Sequence, residues 1–342
     1  MTAPVVSILT PNFNGSGLIH ETLDSLLAQD YPHWECVVVD DGSSDASPAQ
    51  VEAYAARDSR IRLLRRQRQP KGACACRNIG LDHSSGPLVM FLDNDDLLEP
   101  FALGQRAATL EARPDLDFAI FPSVMFENRP HDLRLWWSVP DSRDLLTRQF
   151  HQDAVCQGTG PLFRRSAFDR LGRWDESLLL WQDIDLFLRA YIQDYRAEMF
   201  WNLRPDLLNR RRSGSLSRGR YFEPGKQASR AQVVSRALTL LRSHGKERYL
   251  PEARMMLAEV AVGLQRSGQG GAARELVSLG RNTGCLTPGE TRNLWALLLT
   301  WTRPVERLPG MAALQRALQG PFASHSRMCR VSYDERPCPG VM

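Results

Sequence analysis

One short apolar run, Leu88-Val89-Met90-Phe91-Leu92, delivers three carboxylates within four positions: Asp93, Asp95 and Asp96, with Asn94 between them. Five consecutive apolar residues read as a strand buried on both faces. The acids then emerge at its C-terminal end, the edge where ligands bind in open α/β sheets. Carboxylates this close repel one another unless something positive sits among them, and hard divalent cations take oxygen ligands. Two readings follow. One is a Mg2+ or Mn2+ site for a phosphorylated substrate, with Asp93 and Asp95 as the chief contributors. The other is an acidic turn in which Asp95 or Asp96 starts the next helix.

Other residues suit the same chemistry. Asp41 ends a different strand and is better placed for a base or a ribose than for the same ion, although it can equally cap a helix together with Ser43 or Ser44. Arg77 follows a glycine-containing loop and can pair with the acids or with phosphate; a lone arginine is more often a surface residue. Transfer of a group from a nucleoside diphosphate to a hydroxyl also needs a base for the hydroxyl proton. Asp183 is the candidate and Asp185 the competitor, and both also simply favour a helix N-terminus. Arg210, Arg211 and Arg212 can cover a diphosphate, or form an ordinary solvated basic face.

The elements that must hold these residues alternate in type. Strand patterns at 5–10, 34–39, 60–65 and 88–92 are separated by helical patterns at 17–29, 47–57 and 73–83, the sign of a parallel sheet with crossover helices. If those strands are parallel, Asn12 and Asn14, Asp40 and Asp41, and Asp93 to Asp96 share one edge. A helix at 101–112, a strand at 117–122, a segment at 158–165 leading into a short helix, and a helix opening near Asp183 follow. Beyond about 225 the patterns are helical, at 226–243, 249–266, 270–280, 288–301 and 311–318. The expected organisation is an α/β domain over 1–220, an all-α C-terminal region over 221–320 and a loosely ordered tail over 321–342.

Composition narrows the class. The chain has 342 residues, 43% hydrophobic and 24% charged, with a net charge of +4, which suits a globular protein and does not by itself suggest a nucleic-acid partner. Seven irregularly spaced cysteines argue for a reducing compartment, with Cys74 and Cys76 as small buried residues. The N-terminus lacks the pattern of a cleaved signal, so a cytoplasmic location is expected, with the inner membrane face as an option. The apolar run Leu294 to Trp301 falls far short of the roughly 20 residues that span a bilayer, so it reads as a core helix or a surface contact. The first strand is followed by Pro11-Asn12-Phe13-Asn14-Gly15 and not by G-x-G-x-x-G, which disfavours a dinucleotide-dependent oxidoreductase.

Six segments taken in order resemble a family 2 glycosyltransferase with the GT-A fold. They are Val6 to Asn14, Val37 to Asp45, Arg77-Asn78-Ile79-Gly80, Phe91 to Asp96, Trp174-Asp175-Glu176-Ser177 and Gln182-Asp183-Ile184-Asp185, within about residues 5–217. The resemblance implies a mixed, Rossmann-like sheet flanked by helices. It also implies an inverting transfer from a nucleotide sugar, usually UDP-linked, to a hydroxyl acceptor such as a saccharide, with a divalent metal, in bacterial polysaccharide or glycoconjugate synthesis. By the same resemblance Pro11, Phe13, Asn14 and Asp41 belong to the nucleobase loops and Arg77 lies near the nucleotide. Asp93 and Asp95 touch ribose and metal, Asp183 is the base, and Trp181, Gln182, Arg210 and Arg212 lie near diphosphate or acceptor. Phe13 stands where the family often has Tyr, Gln182 where it has Glu, and Arg212 where many members have His. Loss of the Glu charge beside Asp183 is expected to ease its ionisation. Trp136 and Trp137, within 123–157, are either acceptor-stacking or core residues. A non-catalytic nucleotide-sugar-binding scaffold, with the helical region as a partner platform, oligomer contact or peripheral membrane surface, is the alternative function.

Overall fold

The computed structural model describes residues 3–212, 221–302 and 311–319. Its first part is the expected alternation: β1 (Val6–Asn12), α1 (Ile19–Leu27), β2 (Trp34–Asp40), α2 (Ser47–Arg57), β3 (Ile61–Arg65), α3 (Ala73–Asp82) and β4 (Leu88–Phe91). These four strands are parallel, with β1 between β2 and β4. The register opposes Asn12 to Asp40 and Leu9 to Phe91, so the three polar loops leave the sheet along one edge.

Strict alternation of side chains explains why strands without a polar face are stable. Leu9, Val37, Val39, Val89 and Phe91 enter one core, while Ile8, Cys36, Val38, Leu88 and Met90 enter a second core on the opposite face. The second core is closed by α1, α2 and α4 (Ala102–Ala112), which follows a two-residue strand β5 (Leu97–Leu98).

Beyond α4 the chain departs from a simple parallel sheet. After β6 (Phe118–Ile120), β7 (Ser123–Phe126), β8 (Leu135–Trp136) and α5 (Leu145–Phe150), the segment 158–165, expected to lead into a short helix, contains β9 (Pro161–Arg164). This strand runs antiparallel between β4 and β6. Then come α6 (Arg165–Arg170), α7 (Gln182–Ile192), β10 (Ala197–Met199) and β11 (Leu207–Arg210). The main sheet has the order β10-β6-β9-β4-β1-β2-β3, and β5-β11-β7-β8 form a second, four-stranded sheet beside it. At the free edge of the main sheet, β3 exposes Arg62 and Arg65, paired with Glu35 at 2.6 Å and Glu52 at 2.8 Å. Trp136 is 1% exposed in the small core of the second sheet, so of its two expected roles it takes the structural one.

The C-terminal helices are α8 (Pro224–Ser243), α9 (Arg254–Arg266, after a 3-10 turn at Glu247–Ala253), α10 (Gly270–Thr283), α11 (Pro288–Thr300) and α12 (Met311–Gln319). Gly284, at φ +84°, ends α10, and a Thr287/Glu290 capping box starts α11. These helices have no core of their own. Val233, Leu238, Met256, Leu257 and Leu294 join the same cluster as Val37, Phe91 and Phe187, so the expected boundary near 220 crosses a continuous apolar interior. Among the described residues no helix is long and apolar enough to cross a membrane. The expected tail and most of the basic stretch after Arg212 lie outside the described residues.

Candidate active site

Where β1 and β2 end, the chain builds a shallow polar cradle. Phe13 projects its ring, 37% exposed, with the Lys71 ammonium 3.7 Å from the ring centroid. Pro11 lies at the end of β1, half-buried beside it. Asn14, at φ +50°, accepts a hydrogen bond from Ser44 N at 2.9 Å and donates its own N–H to Ser43 Oγ at 2.9 Å, so it braces the two loops. The neighbour of Asp41 ties these loops: Asp40 accepts from Gly42 N, Ser43 N and Asn12. Asp45, two residues ahead of α2, accepts from Ser47 N, and its hydrogen bonds hold it down to about 2 against the opposing effect of burial. Asp41 instead forms a buried ion pair with Arg66. Arg66 was not singled out from sequence. The pairing of β2 with β3 is its only signal, since Asp40 opposite Arg65 sets Arg66 beside Asp41.

The acid cluster divides into three environments. Asp93 accepts a 2.6 Å hydrogen bond from Arg77, whose guanidinium is buried 4.7 Å over the Trp174 ring and whose Nε has no partner among the described residues. Asp95 meets Arg212 at 3.1 Å, and burial together with the Asp93 charge pushes its carboxyl above the ordinary range. Asp96 does not start a helix. It is buried, accepts from Arg210 N at 2.9 Å and from the amides of Asn209 and Gln157 at 3.1 Å each, and joins the end of β4 to the second sheet. Burial, then Asp95 and Asp93, push it well above its usual value. Arg210 also turns inward: it bonds Asp95 O at 2.9 Å and Glu21 at 2.8 Å over the ring of Phe126. It thus braces the cluster from behind, whereas Arg212 is the half-exposed arginine at the site.

Asp183 opens α7 in its first turn, half-buried, with Ile184 N donating to its Oδ1 at 2.9 Å. Burial raises its pKa, Ile184 N and Arg77 oppose that, and Asp93 adds to it. Burial therefore outweighs the easier ionisation expected from Gln182, whose amide donates to Leu178 O at 2.9 Å. Asp185 is excluded as the base: it is 2% exposed, with one oxygen 2.8 Å from Arg189 and the other 2.6 Å from Arg236. Trp181 is buried and precedes α7 at φ +65°. The loop before it is tied to α3, because Asn78 donates to Trp174 O at 2.9 Å and to Glu176 at 2.8 Å. Glu176 also takes a bidentate bond from Arg68, at 2.5 and 2.7 Å. These ties account for Trp174-Asp175-Glu176-Ser177 as a clamp between the nucleotide edge and α7.

Asp93 and Asp95 offer hard oxygen donors at one strand end, and their mutual repulsion favours a cation between them. Among the described residues no group of three or more His, Cys, Asp or Glu side chains is arranged to hold a metal. The donor set thus fits a divalent ion shared with substrate phosphates, the way Mg2+ is usually held by one or two carboxylates.

Comparison with known proteins agrees with this arrangement. The family model "Glycosyl transferase family 2" matches residues 7–172. The Escherichia coli UDP-Glc:alpha-D-GlcNAc-diphosphoundecaprenol beta-1,3-glucosyltransferase is 41% identical over 93 residues, 27% of this chain and 36% of that protein. The putative teichuronic acid biosynthesis glycosyltransferase TuaG of Bacillus subtilis is 39% identical over 93 residues, with the same coverage of 27% and 36%. The chain thus spans about a third of the length of these relatives. S. aureus TarS 1-349, solved in complex with UDP-GlcNAc, superposes with a TM-score of 0.60 at 18% identity, covering 93% of this chain and 91% of that one. That likeness identifies the fold as GT-A. The chain's fold and its acid cluster agree with the match of residues 7–172 to glycosyl transferase family 2.

Proposed function

We propose that this protein is an inverting, metal-dependent sugar transferase that takes a UDP-linked sugar and passes it to a hydroxyl acceptor in bacterial glycoconjugate synthesis. The observation that carries the reading is the separation of roles among the acids: Asp93 and Asp95 lie at the strand edge, and Asp183 is held half-buried with a raised pKa within the field of Arg77 and Asp93. Relatives named for UDP-linked and teichuronic acid chemistry support the donor class and the setting.

The roles then follow. Phe13 stacks the nucleobase and Asp41, fixed by Arg66, accepts from its edge. Asp93, oriented by Arg77, faces the ribose and shares the ion with Asp95. A bound Mg2+ or Mn2+ supplies charge that stabilises the departing diphosphate. Arg212, half-exposed beside Asp95, adds positive charge at the same place. Asp183 receives the acceptor's hydroxyl proton as the acceptor oxygen bonds to the sugar carbon and the bond to the diphosphate breaks, from the opposite face. Its raised pKa makes it a stronger base than a solvated carboxylate, and it must be ionised to act, so transfer is expected to rise with pH through that value.

A panel of UDP-sugars with Mn2+, assayed for UDP release, tests the reading. Asp95→Ala is expected to abolish Mn2+-dependent UDP binding in calorimetry. Asp183→Asn should bind UDP nearly as the parent does, yet lose transfer by about 10²- to 10⁴-fold. No turnover of any donor together with intact UDP binding would defeat the enzymatic reading, and unchanged UDP affinity in Asp95→Ala would defeat the metal assignment.

A further inference from the structure

The turn before Asp183 is packed against the helical region. Trp181 is left-handed at φ +65°, a conformation that costs a residue with a β-carbon about 1–2 kcal/mol and that persists only where its surroundings impose it. Asp183 lies two residues on, so its position follows from that turn. Over the Trp181 ring, 4.2 Å from its centroid, sits the guanidinium of Arg230 on α8, fully buried. Arg230 also lies 4.9 Å from the Tyr221 ring, donates to Gln227 at 3.1 Å and pairs with Glu259 on α9. Glu259 accepts from Tyr221 at 2.9 Å and from Gln152, in the segment 123–157. One pair thus touches the turn before Asp183 and, through Gln152, the segment that follows α5.

The approach of the two helices is built in. A β-carbon at Gly263 of α9 would meet the end of the Gln227 side chain, Oε1 at 2.1 Å, so a glycine there lets Gln227 keep its place beside Arg230. Neighbouring contacts run the same way: Leu179 N donates to Ser229 on α8 at 2.9 Å, and Arg236 on α8 bonds Asp185 at 2.6 Å while pairing with Asp175. A buried ion pair is weak as a stabiliser, because packed apolar residues of similar volume often do as well or better. What such a pair supplies is a direction. A flat cation on an aromatic face fixes where the ring lies, which an aliphatic side chain does not.

We infer that Arg230, held by Glu259, is a positioning residue for Asp183 through Trp181, so that the helical region completes the transfer site. The inference rests on Asp183 being the base.

Hydrogen exchange on the full chain, read at the peptides 177–186 and 34–40, tests it alongside steady-state transfer by Arg230→Met, Arg230→Lys, Glu259→Gln and Asp183→Asn. Arg230→Met is expected to speed exchange in 177–186 by at least about tenfold while 34–40 stays at the parental rate. It should lower kcat by about 10²-fold, the scale of a small misplacement, with donor KM and UDP affinity within about twofold. Arg230→Lys, which keeps the cation over the ring, should recover part of both. Should Arg230→Met not fold, Glu259→Gln, which leaves the ring stack in place, is read in the same two ways. Parental exchange in 177–186 and parental kcat in the folded variants would overturn the positioning role. Parental transfer by Asp183→Asn would instead overturn the base assignment beneath it.

Discussion

Asp183 and Asp185 share one helical turn, but their carboxylates meet different partners. Both oxygens of Asp185 are bound by arginines, while Asp183 has one oxygen bonded to Ile184 N and its pKa is raised by burial, with Arg77 opposing and Asp93 adding to that. Only half of that contrast was legible in the sequence: the Asp185–Arg189 pair follows from i,i+4 spacing, whereas Arg236 arrives from 51 residues away. Arg210 and Arg212 carry a similar lesson: Arg210, the last residue of β11, reaches Glu21, while Arg212, past the end of the strand, reaches Asp95, and a run of three arginines does not reveal which. The raised pKa of Asp183 has a thermodynamic side. Its contribution to stability is present below its unfolded value, near 3.9, and is lost as pH rises through the higher folded value. Asp183→Asn is therefore expected to raise Tm at pH 7 and to leave it unchanged near pH 3, in thermal unfolding followed by circular dichroism. A lower Tm at pH 7 would show that the carboxylate is better satisfied than its burial implies.

At the scale of elements, the parallel strands and their crossover helices were readable because each is a local pattern: a period of two or an unbroken apolar run, ended by Asn, Asp or Gly. The second sheet was not. β5 and β8 have two residues each, β7 and β11 have four, and their pairing joins segments such as 123–126 and 207–210 that have no local signature of each other. β9 was hidden for the same reason, four residues starting at a proline and held only between β4 and β6. The buried acceptor Asp96 reconciles the two sheets, a role that no spacing announces. The loop between β3 and α3 carries a further expectation. Its Lys71 lies on the Phe13 ring where a base would stack, and an exposed cation–π contact is worth about 0.5–1 kcal/mol. Removing that competitor in Lys71→Ala is expected to tighten UDP binding by about two- to fivefold in calorimetry. Weaker binding would mean that the ammonium contributes to holding the nucleotide.

Across the whole molecule, the helical region is the outer wall of the main core. Cutting the chain after Arg212 removes Val233, Val234, Leu238, Met256 and Leu257 from the cluster that contains Val37, Phe91 and Phe187, leaving a large apolar face open to water. Such a fragment is expected to lack a cooperative urea transition and to bind a hydrophobic dye strongly; a fragment that unfolds cooperatively would show that the α/β part closes its own core. Texture alone suggested a boundary near residue 220, because helical patterns begin there, but texture does not report which apolar faces meet. The opposite flank of the molecule ends differently, at β3. An unpaired strand edge is a template on which a second chain can add, and here each guanidinium along it, Arg60, Arg62 and Arg65, is matched to its own acid. Neutralised in place, these charges cost little in the monomer, but stacking a copy on that edge would strip water from all three pairs at once. The edge is therefore expected to resist strand addition by a second copy, and neutralising Arg60, Arg62 and Arg65 to favour self-association at high concentration.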